Sequence, residues 1–258
     1  MDINTLFSIR NKVVIITGGS RGLGKTLATA FADAGAQVAI FARNQADITS
    51  VVEEASENAS RKVIGIQGDV SLEEDVERLF KEVHAELGSV DILIANAAQI
   101  NRPREMTWEL SPQTWDSNIA VTLTGTYHAC RLAAKEMVHR RSGKIICIAS
   151  TSSVIASLGH SAYIAAKGGV LQFVRALALE AAQYGVNVNA VGPTFMRTEM
   201  TEPSLQDPER YQQIVEQLPL GRPLEPIDLV GTCIFLASKA SDMITGQLIL
   251  VDAGHTIH

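Results

Sequence analysis

Short apolar runs rich in β-branched residues recur along the chain, separated by longer stretches in which apolar residues return every three or four positions. Short runs of this kind predict buried strands, and the three- and four-residue spacing predicts amphipathic helices. The predicted strands cover residues 13–17, 37–41, 62–67, 90–95, 144–149, 186–191 and 247–251.

Helical spacing is clear in two stretches between the early strands. Residues 25–34 and 72–87 predict helices, the first closed by Gly35 and the second with Ser71 as its N-cap. Strands that alternate with helices predict an α/β fold, a doubly wound parallel sheet of the Rossmann type with helices on both faces. The chain shows no repeat and no linker rich in Pro, Gly or Ser, so we expect a single domain over residues 1–258.

The segment between Pro193 and Pro226 breaks this alternation. It is rich in proline and holds one polar, helix-like stretch around residues 209–218. In such folds, a long irregular insertion near the carboxyl end of a strand is often a binding loop. We therefore expect a substrate loop, or lid, at residues 194–226.

Composition narrows the class of protein without naming an activity. Lys and Arg number 22 and Asp and Glu number 28, so the net charge is −6, which argues against a nucleic-acid partner. Three widely spaced cysteines form no metal-ligand or disulfide pattern, so we expect no metal and a reducing compartment. No secretion signal and no membrane-spanning run stand out, so we expect a soluble cytoplasmic protein with no membrane partner.

A glycine-rich loop joins the first predicted strand to the first predicted helix. Gly18 permits a tight turn, and Gly22 and Gly24 allow the backbone to approach a phosphate and the helix to pack on the strand. The helix N-terminus then offers free N–H groups to an anion. An ordinary glycine turn is the alternative, but the strand before and the helix after favour a dinucleotide-binding loop. The other predicted contacts in this loop are Ser20, Arg21 and Leu23.

The end of the second strand bears on the choice of dinucleotide. NAD sites have an acidic residue there for the ribose hydroxyls, whereas an Arg accommodates a 2′-phosphate. This strand is followed by Arg43 and no acid, and Arg21 in the glycine loop is a second guanidinium for the same phosphate. Two solvated surface arginines are the alternative. The pattern favours NADP(H).

Three residues are candidates for acid–base chemistry. Tyr163 and Lys167 stand four residues apart in a helical pattern and share one helix face. A free phenol has a pKa of about 10, which a nearby ammonium lowers toward a useful range. Such pairs also occur by chance, but Ser150 ends a predicted strand at the ligand-binding edge, 13 residues before the tyrosine. Ser152 and Ser153 are alternatives by residue type.

Two motifs resemble signatures of the short-chain dehydrogenase/reductase family. The glycine loop, which begins at Thr17, resembles TGxxxGxG, and Tyr163 with Lys167, preceded by Ser150, resembles YxxxK. The resemblance covers essentially the whole chain. It implies an NADP(H)-dependent oxidoreductase that transfers a hydride between nicotinamide and a ketone or secondary alcohol, without a metal. It also implies that Tyr163 is the general acid or base, that Lys167 lowers its pKa and holds the nicotinamide ribose, and that Ser150 binds the substrate oxygen.

The resemblance implies further cofactor contacts. Asp69, with Val70 beside it, corresponds to the residue that hydrogen-bonds the adenine amino group, although Asp69 also suits the start of the next helix. Asn96 and Ala97 match the family's NNAG motif, from which the alanines on either side depart. The remaining implied contacts are Tyr163, Lys167, Pro193 and Thr198.

Two further positions depart from the family pattern. Thr122 stands where the family often has a tetrad Asn that helps order a relay water, and Asn118, one turn earlier, does not match the motif position. We expect water or Thr122 to substitute, unless its hydroxyl bonds back to its own helix. Thr194 replaces the glycine of a Pro-Gly-x-x-x-Thr pattern, which either stiffens the loop base or is a tolerated turn variant.

The substrate crevice is expected to be bordered by residues 99–104, 152–160 and 195–223. Their polar and basic side chains suit a sugar, sugar acid or polyol, and Phe195, Met196 and Met200 either form an apolar wall or pack the lid. The polar candidates are Asn101, Arg102, Arg104, His160 and Arg197.

Two further interpretations concern function and assembly. A non-catalytic NADP(H)-binding regulator of the same fold is the alternative function. The resemblance also suggests a homotetramer, with the apolar helix faces at residues 124–138 and 162–182 as candidate interfaces, although the same faces suit a monomer core.

Overall fold

The sheet is seven-stranded and entirely parallel, with strand order β3-β2-β1-β4-β5-β6-β7. The computed structural model describes residues 2–57, 59–101, 103–199 and 201–257. The strands are β1 Val13–Thr17, β2 Gln37–Ala42, β3 Val63–Gln67, β4 Ile92–Ala95, β5 Gly143–Ile148, β6 Val186–Pro193 and β7 Leu248–Val251. Each lies within two residues of a predicted strand at both ends, and the predicted fold class is confirmed.

Helices connect the strands and cover both faces of the sheet. Their bounds are α1 Ile3–Leu6, α2 Gly22–Asp33, α3 Gln45–Glu57, α4 Glu73–Glu86, α5 Pro112–Asn118, α6 Gly125–Arg140, α7 Ser161–Ala181, α8 Glu202–Leu205, α9 Pro208–Val215 and α10 Val230–Ala237. A π-helical segment, Ile119–Thr124, joins α5 to α6, and short 3₁₀ turns lie at Thr151–Ser153, Ala182–Tyr184, Pro226–Leu229 and Lys239–Ser241.

Each face of the sheet has its own apolar core. Alternate residues of β1 point to opposite sides, so that Ile16 packs with α2, α3 and α10, while Ile15 packs with α4, α6 and α7. Phe31 of α2 and Leu79 of α4 are among the fully buried side chains of the two cores. Because both faces are covered, the strands consist of nearly continuous apolar residues.

The carboxyl ends of the central strands are level with one another. Thr17 at the end of β1 pairs with Phe41 of β2 on one side and with Ala95 of β4 on the other. The chain order of the strands reverses between β1 and β4, so the connections after these two strands diverge to opposite faces. In open α/β sheets, ligands bind in the crevice that such a reversal opens.

Two helix starts differ from the sequence prediction. Helix α2 begins at Gly22, because the last glycines of the loop already belong to its first turn. Helix α4 begins at Glu73 with Leu72 at the N-cap, so the assignment of Ser71 as N-cap is wrong. The Ser71 amide and hydroxyl instead donate to Asp69 Oδ1, at 2.9 and 2.7 Å.

One helix meets the length and composition of a membrane span, contrary to the expectation that no such run exists. It covers Ser161–Tyr184, which includes α7. Core helices of soluble proteins pass the same test, and α7 packs against β6 and the π-helical segment. Its apolar face therefore has a partner within the fold.

Candidate active site

A cleft of about 990 Å³ opens at the carboxyl ends of the strands. Every residue predicted to bind the cofactor lines it. These residues are Gly18, Ser20, Arg21, Gly22, Leu23, Gly24, Arg43, Asp69, Val70, Asn96, Ala97, Tyr163, Lys167, Pro193 and Thr198. Their roles stay predictions, but the fold gathers them from the whole length of the chain around one cleft.

The glycine loop is shaped for close backbone approach. Gly18 has a φ of +64°, a conformation that favours glycine, and a Cβ on Gly24 would lie 2.0 Å from the Gly18 carbonyl oxygen. Helix α2 follows at once, and its N-cap residue Arg21 makes no side-chain capping hydrogen bond. The first N–H groups of α2 are thus free of a side-chain cap, which suits a bound phosphate.

Asn96 ties the glycine loop to the end of β4. Its Nδ2 donates to the carbonyl oxygens of Thr17 and Gly18, both at 3.0 Å. In return, the Thr17 hydroxyl accepts from the amides of Asn96 at 3.1 Å and Ala97 at 3.2 Å. The Asn of the NNAG-like motif therefore braces the loop in this structure, and the first residue of the TGxxxGxG signature is its partner.

Arg43 lies at the rim of the cleft with 64% of its side chain exposed. Its Nη1 is 3.9 Å from Asp69 Oδ2, while the other carboxylate oxygen of Asp69 binds Ser71. The carbonyl oxygen of Arg43 accepts a hydrogen bond from Gln67 Nε2 at 2.9 Å, and this bond fixes the backbone after β2. The guanidinium is held beside the cleft yet open to solvent, a suitable arrangement for a phosphate dianion.

Ser150, Tyr163 and Lys167 meet at the same edge of the sheet. Ser150 follows β5 and lies next to Tyr163 in the first turn of α7, close enough to lower the pKa of its hydroxyl. Lys167, one turn further along α7, is only 3% exposed, and its Nζ donates to the Ile148 carbonyl oxygen at 2.5 Å. The Ser150 assignment fits this geometry, since the Ser153 hydroxyl donates to the Lys167 carbonyl instead.

The pKa values of Tyr163 and Lys167 differ from the sequence-based expectation. Desolvation raises the pKa of Tyr163, and the hydrogen bond with Ser150 lowers it only in part. Desolvation also lowers the pKa of Lys167 to about 8, against a smaller opposite effect of Cys147. The Lys167 Nζ is 5.8 Å from the centre of the tyrosine ring. The expected lowering of the Tyr163 pKa by Lys167 is therefore not found in this structure, because the ammonium points to a strand carbonyl.

Thr122 is fully buried within the π-helical segment. Its Oγ1 accepts from the Gln99 amide at 3.0 Å and donates to the Gln99 carbonyl at 3.3 Å. The hydroxyl does not bond back to its own helix. Its proton is used in the hydrogen bond to Gln99, which fixes the loop after β4, and so is not free for a relay. Asn118 is also buried; its Nδ2 donates to the Thr114 carbonyl, and its Oδ1 has no partner among the described residues.

The polar candidates for substrate contact fall into different environments. Asn101 and His160 are buried beside the start of α7, where Asn101 Nδ2 donates to the Gly159 carbonyl at 3.2 Å. Arg104 packs against Gly159. The Arg197 guanidinium binds Glu202 and Glu225, and its contact with a substrate stays a prediction. Arg102 and Met200 lie outside the described residues.

Sequence reasoning missed several residues that line the cleft. Val121 reaches it from the π-helical segment, and Asn44 and Asp47 reach it from the start of α3. Glu199 reaches it from the segment that follows β6. Val121 directly precedes Thr122 in the family segment and Asn44 directly follows Arg43, whereas Asp47 and Glu199 belong to no motif.

A glycine loop at the reversal point of a parallel sheet, with Ser150, Tyr163 and Lys167 at the same edge, defines a dinucleotide-binding α/β protein. Comparison with known proteins refines that class. The family model described as enoyl-(acyl carrier protein) reductase matches residues 18–256. The chain belongs to the short-chain dehydrogenase/reductase family.

Curated relatives are oxidoreductases by name. The chain is 38% identical over 248 residues to 2-dehydro-3-deoxy-D-gluconate 5-dehydrogenase of Pseudoalteromonas atlantica, covering 96% of this chain and 97% of that protein. It is 34% identical over 244 residues to 3-oxoacyl-(acyl-carrier-protein) reductase of Staphylococcus epidermidis, covering 95% and 98% respectively. The expected class of enzyme, a dehydrogenase/reductase, agrees with both.

Solved structures of the family superpose over the full chain. A gluconate 5-dehydrogenase from Burkholderia cenocepacia, in complex with NADP and tartrate, is 31% identical, with a TM-score of 0.93 and coverage of 100% of both chains. A short-chain type dehydrogenase/reductase from Mycobacterium marinum is 32% identical, with a TM-score of 0.94 and the same coverage.

Proposed function

We propose that the protein is an NADP(H)-dependent dehydrogenase/reductase that acts on the ketone or secondary alcohol of a sugar acid or related polyhydroxy acid. The observation that carries the proposal is that the fold brings Ser150, at the end of β5, to Tyr163 and Lys167 on one face of α7, where Tyr163 and Lys167 line the cleft. The relatives with similar chains are named enzymes, which favours catalysis over a regulatory role.

The residues present fit a dinucleotide phosphate. Gly18 to Gly24 and the uncapped start of α2 would hold the pyrophosphate, and Arg21 and Arg43 would hold the 2′-phosphate. Asp69 and Val70 would border the adenine, with Pro193 and Thr198 at the nicotinamide end. When bound, the cofactor supplies or accepts the hydride.

The chain's own part in the reaction is to orient the substrate oxygen and move a proton. In ketone reduction, the Tyr163 hydroxyl donates its proton to that oxygen, and in alcohol oxidation the same oxygen atom of Tyr163 accepts it. The Ser150 hydroxyl donates a hydrogen bond as negative charge develops. Lys167 is buried one turn along α7 with its Nζ on the Ile148 carbonyl, and we assign it the nicotinamide ribose, as the family resemblance implies.

Two polar atoms near the start of α7 support a polyhydroxy substrate. Asn101 Oδ1 and Ser161 Oγ are buried, and neither has a hydrogen-bond partner among the described residues. Both lie close in the fold to Tyr163, Ser161 being two residues before it and Asn101 bonding to the Gly159 carbonyl. A substrate rich in hydroxyl groups that reached these two atoms would supply the hydrogen bonds that they lack. The similarity to dehydrogenases of gluconate compounds points the same way.

The assembly and location are proposed from the resemblance. Tyr127 of α6 and Leu179 of α7 are exposed apolar side chains on the helices expected to form interfaces in a homotetramer. Light scattering of the purified protein tests the tetramer, and fractionation of cells tests the cytoplasmic location. A monomer in solution would contradict the first.

The substrate class is tested by a panel of sugar acids, polyols and simple ketones. We expect NADP⁺ reduction with gluconate-type acids, or NADPH oxidation with their keto forms, followed by absorbance of the reduced nicotinamide. Asn101→Ala should raise the KM for the preferred sugar acid while leaving the KM for NADP(H) unchanged. Faster turnover of plain aliphatic ketones than of any polyhydroxy acid would contradict the assignment.

A further inference from the structure

The segment that follows β7, residues 252–257, touches the lid at two separated places. On one side, His255 Nδ1 lies 2.6 Å from the Thr194 hydroxyl oxygen, and the His255 ring packs on Phe195 with 5.7 Å between ring centres. On the other side, Gly254 packs against Pro219, and the Ala253 carbonyl accepts from the Leu220 amide at 3.1 Å.

The post-β7 segment has a defined shape of its own. Asp252 Oδ1 accepts from the Gly254 amide at 3.0 Å, and Asp252 Oδ2 accepts from the amide and hydroxyl of Thr256 at 2.9 and 2.7 Å. These bonds close a turn of the kind that Asp side chains favour, and Ala253 within it is buried against the same core as the lid. The turn therefore presents His255 to the lid in a fixed position.

Thr194 begins the stretch of the lid that crosses the cleft. Pro193 before it and Thr198 after it both line the cleft. A Cβ placed on Gly22 would lie 3.5 Å from the Thr198 methyl group, so Thr198 lies next to the glycine loop. The stretch 194–198 thus runs from the end of β6 to a point above the glycine loop. Whatever fixes residue 194 also limits where Thr198 lies.

The same stretch is held on its other side by the returning arm of the lid. Met196 pairs with Leu224 in an isolated bridge, and the Leu224 amide donates to the Phe195 carbonyl at 2.8 Å. Arg197 then joins Glu202 and Glu225. These contacts lie within the lid, whereas Thr194–His255 attaches its base to the end of the sheet.

We propose that His255 is a positioning residue: through Thr194 it fixes residues 194–198 over the cofactor cleft and so strengthens binding of both cofactor and substrate. The inference rests on the proposed function of that cleft. Thr194 stands where the resembled pattern has glycine, and a glycine has no hydroxyl to offer. The contact therefore depends on this chain's sequence and does not follow from the fold alone.

Kinetics of four variants test the inference. His255→Ala and Thr194→Val each remove the contact, and each should raise the KM for NADPH and for the substrate roughly three- to tenfold, the worth of one hydrogen bond. The kcat should change less than about twofold, because an interaction made equally in ground and transition states affects KM alone. Thr194→Ser keeps the hydroxyl and should restore wild-type values. The double variant should be no worse than His255→Ala alone, since Thr194→Val removes a contact that His255→Ala has already removed.

Hydrogen exchange supplies a readout that does not depend on turnover. Amides of residues 194–198 should exchange faster in His255→Ala and Thr194→Val than in the wild type, while Thr194→Ser and the control His139→Ala, at the exposed end of α6, should match the wild type. Unchanged exchange and unchanged KM values in both variants, in a wild type that binds NADPH, would overturn the inference alone. A wild-type protein that fails to bind NADPH would overturn the proposed function and the inference with it.

Discussion

Replacing Lys167 by methionine removes a charge that the fold holds almost out of water. Desolvation lowers the pKa of this ammonium from 10.5 to about 8. At 1.36 kcal/mol for each pKa unit, burial of the protonated form opposes folding by roughly 3 kcal/mol. Methionine is apolar and of similar length, so the variant lacks this penalty and also lacks the hydrogen bond to the Ile148 carbonyl.

The pH dependence measures the cost of burying the charge, because desolvation penalises only the protonated form of Lys167. The pKa of Lys167 is lower in the folded than in the unfolded chain, so the penalty is full below about pH 8 and disappears above about pH 10.5. Between about pH 7 and about pH 9.5, the wild type should therefore gain about 2 kcal/mol of unfolding free energy relative to Lys167→Met. The upper pH of this range lies below the ordinary pKa of a tyrosine, so titration of Tyr163 does not contribute to the difference.

Urea unfolding of the cofactor-free protein, followed by circular dichroism at both pH values, measures this difference. Lys81→Met, at an exposed position of α4, is the matched control and should keep the wild-type pH dependence. Identical pH dependence in Lys167→Met and the wild type would show that the buried ammonium is not destabilised as the structure implies. Lys167→Met should lose turnover in either case.

Three other substitutions test the cleft. Tyr163→Phe should lower kcat by roughly 10²- to 10⁴-fold and leave NADPH binding, measured by fluorescence, unchanged; substantial retained turnover would refute its role as acid or base. Gly24→Ala places a methyl group 2.0 Å from the Gly18 carbonyl oxygen and should abolish NADPH binding, whereas Gly231→Ala, with nothing within 4 Å, should bind normally. Arg43→Asp should raise the KM for NADP⁺ roughly tenfold to a hundredfold and that for NAD⁺ far less, and equal effects would contradict a 2′-phosphate site.

The sheet and the phosphate end of the cleft are predictable from sequence because their signals are local. A buried strand such as Val13–Thr17 reads as a continuous β-branched run, and the loop after it carries glycine where the backbone needs it. Parallel strands bring their carboxyl ends to one edge, so the positions of Asn96 and Ser150 follow once the strands are known.

Side-chain partners were harder to predict because they come from distant parts of the chain. The hydroxyl of Thr122 fixes Gln99, and Arg197 pairs with carboxylates inside the lid. Lys167 points to the backbone of β5, a direction that the four-residue spacing from Tyr163 does not specify. A helical repeat fixes the face on which a residue lies, while the contacts of a long side chain depend on the elements packed against that face.

The bonds from Asn96 and Thr17 have a consequence for how the cofactor would bind. They connect the glycine loop to the end of β4 through four hydrogen bonds, so the phosphate-binding surface is preorganised. Little backbone entropy is then lost on association, and affinity depends mainly on the phosphate contacts themselves. Asn96→Ala should therefore slow the association of NADPH as well as weaken it, because the loop must first find its shape.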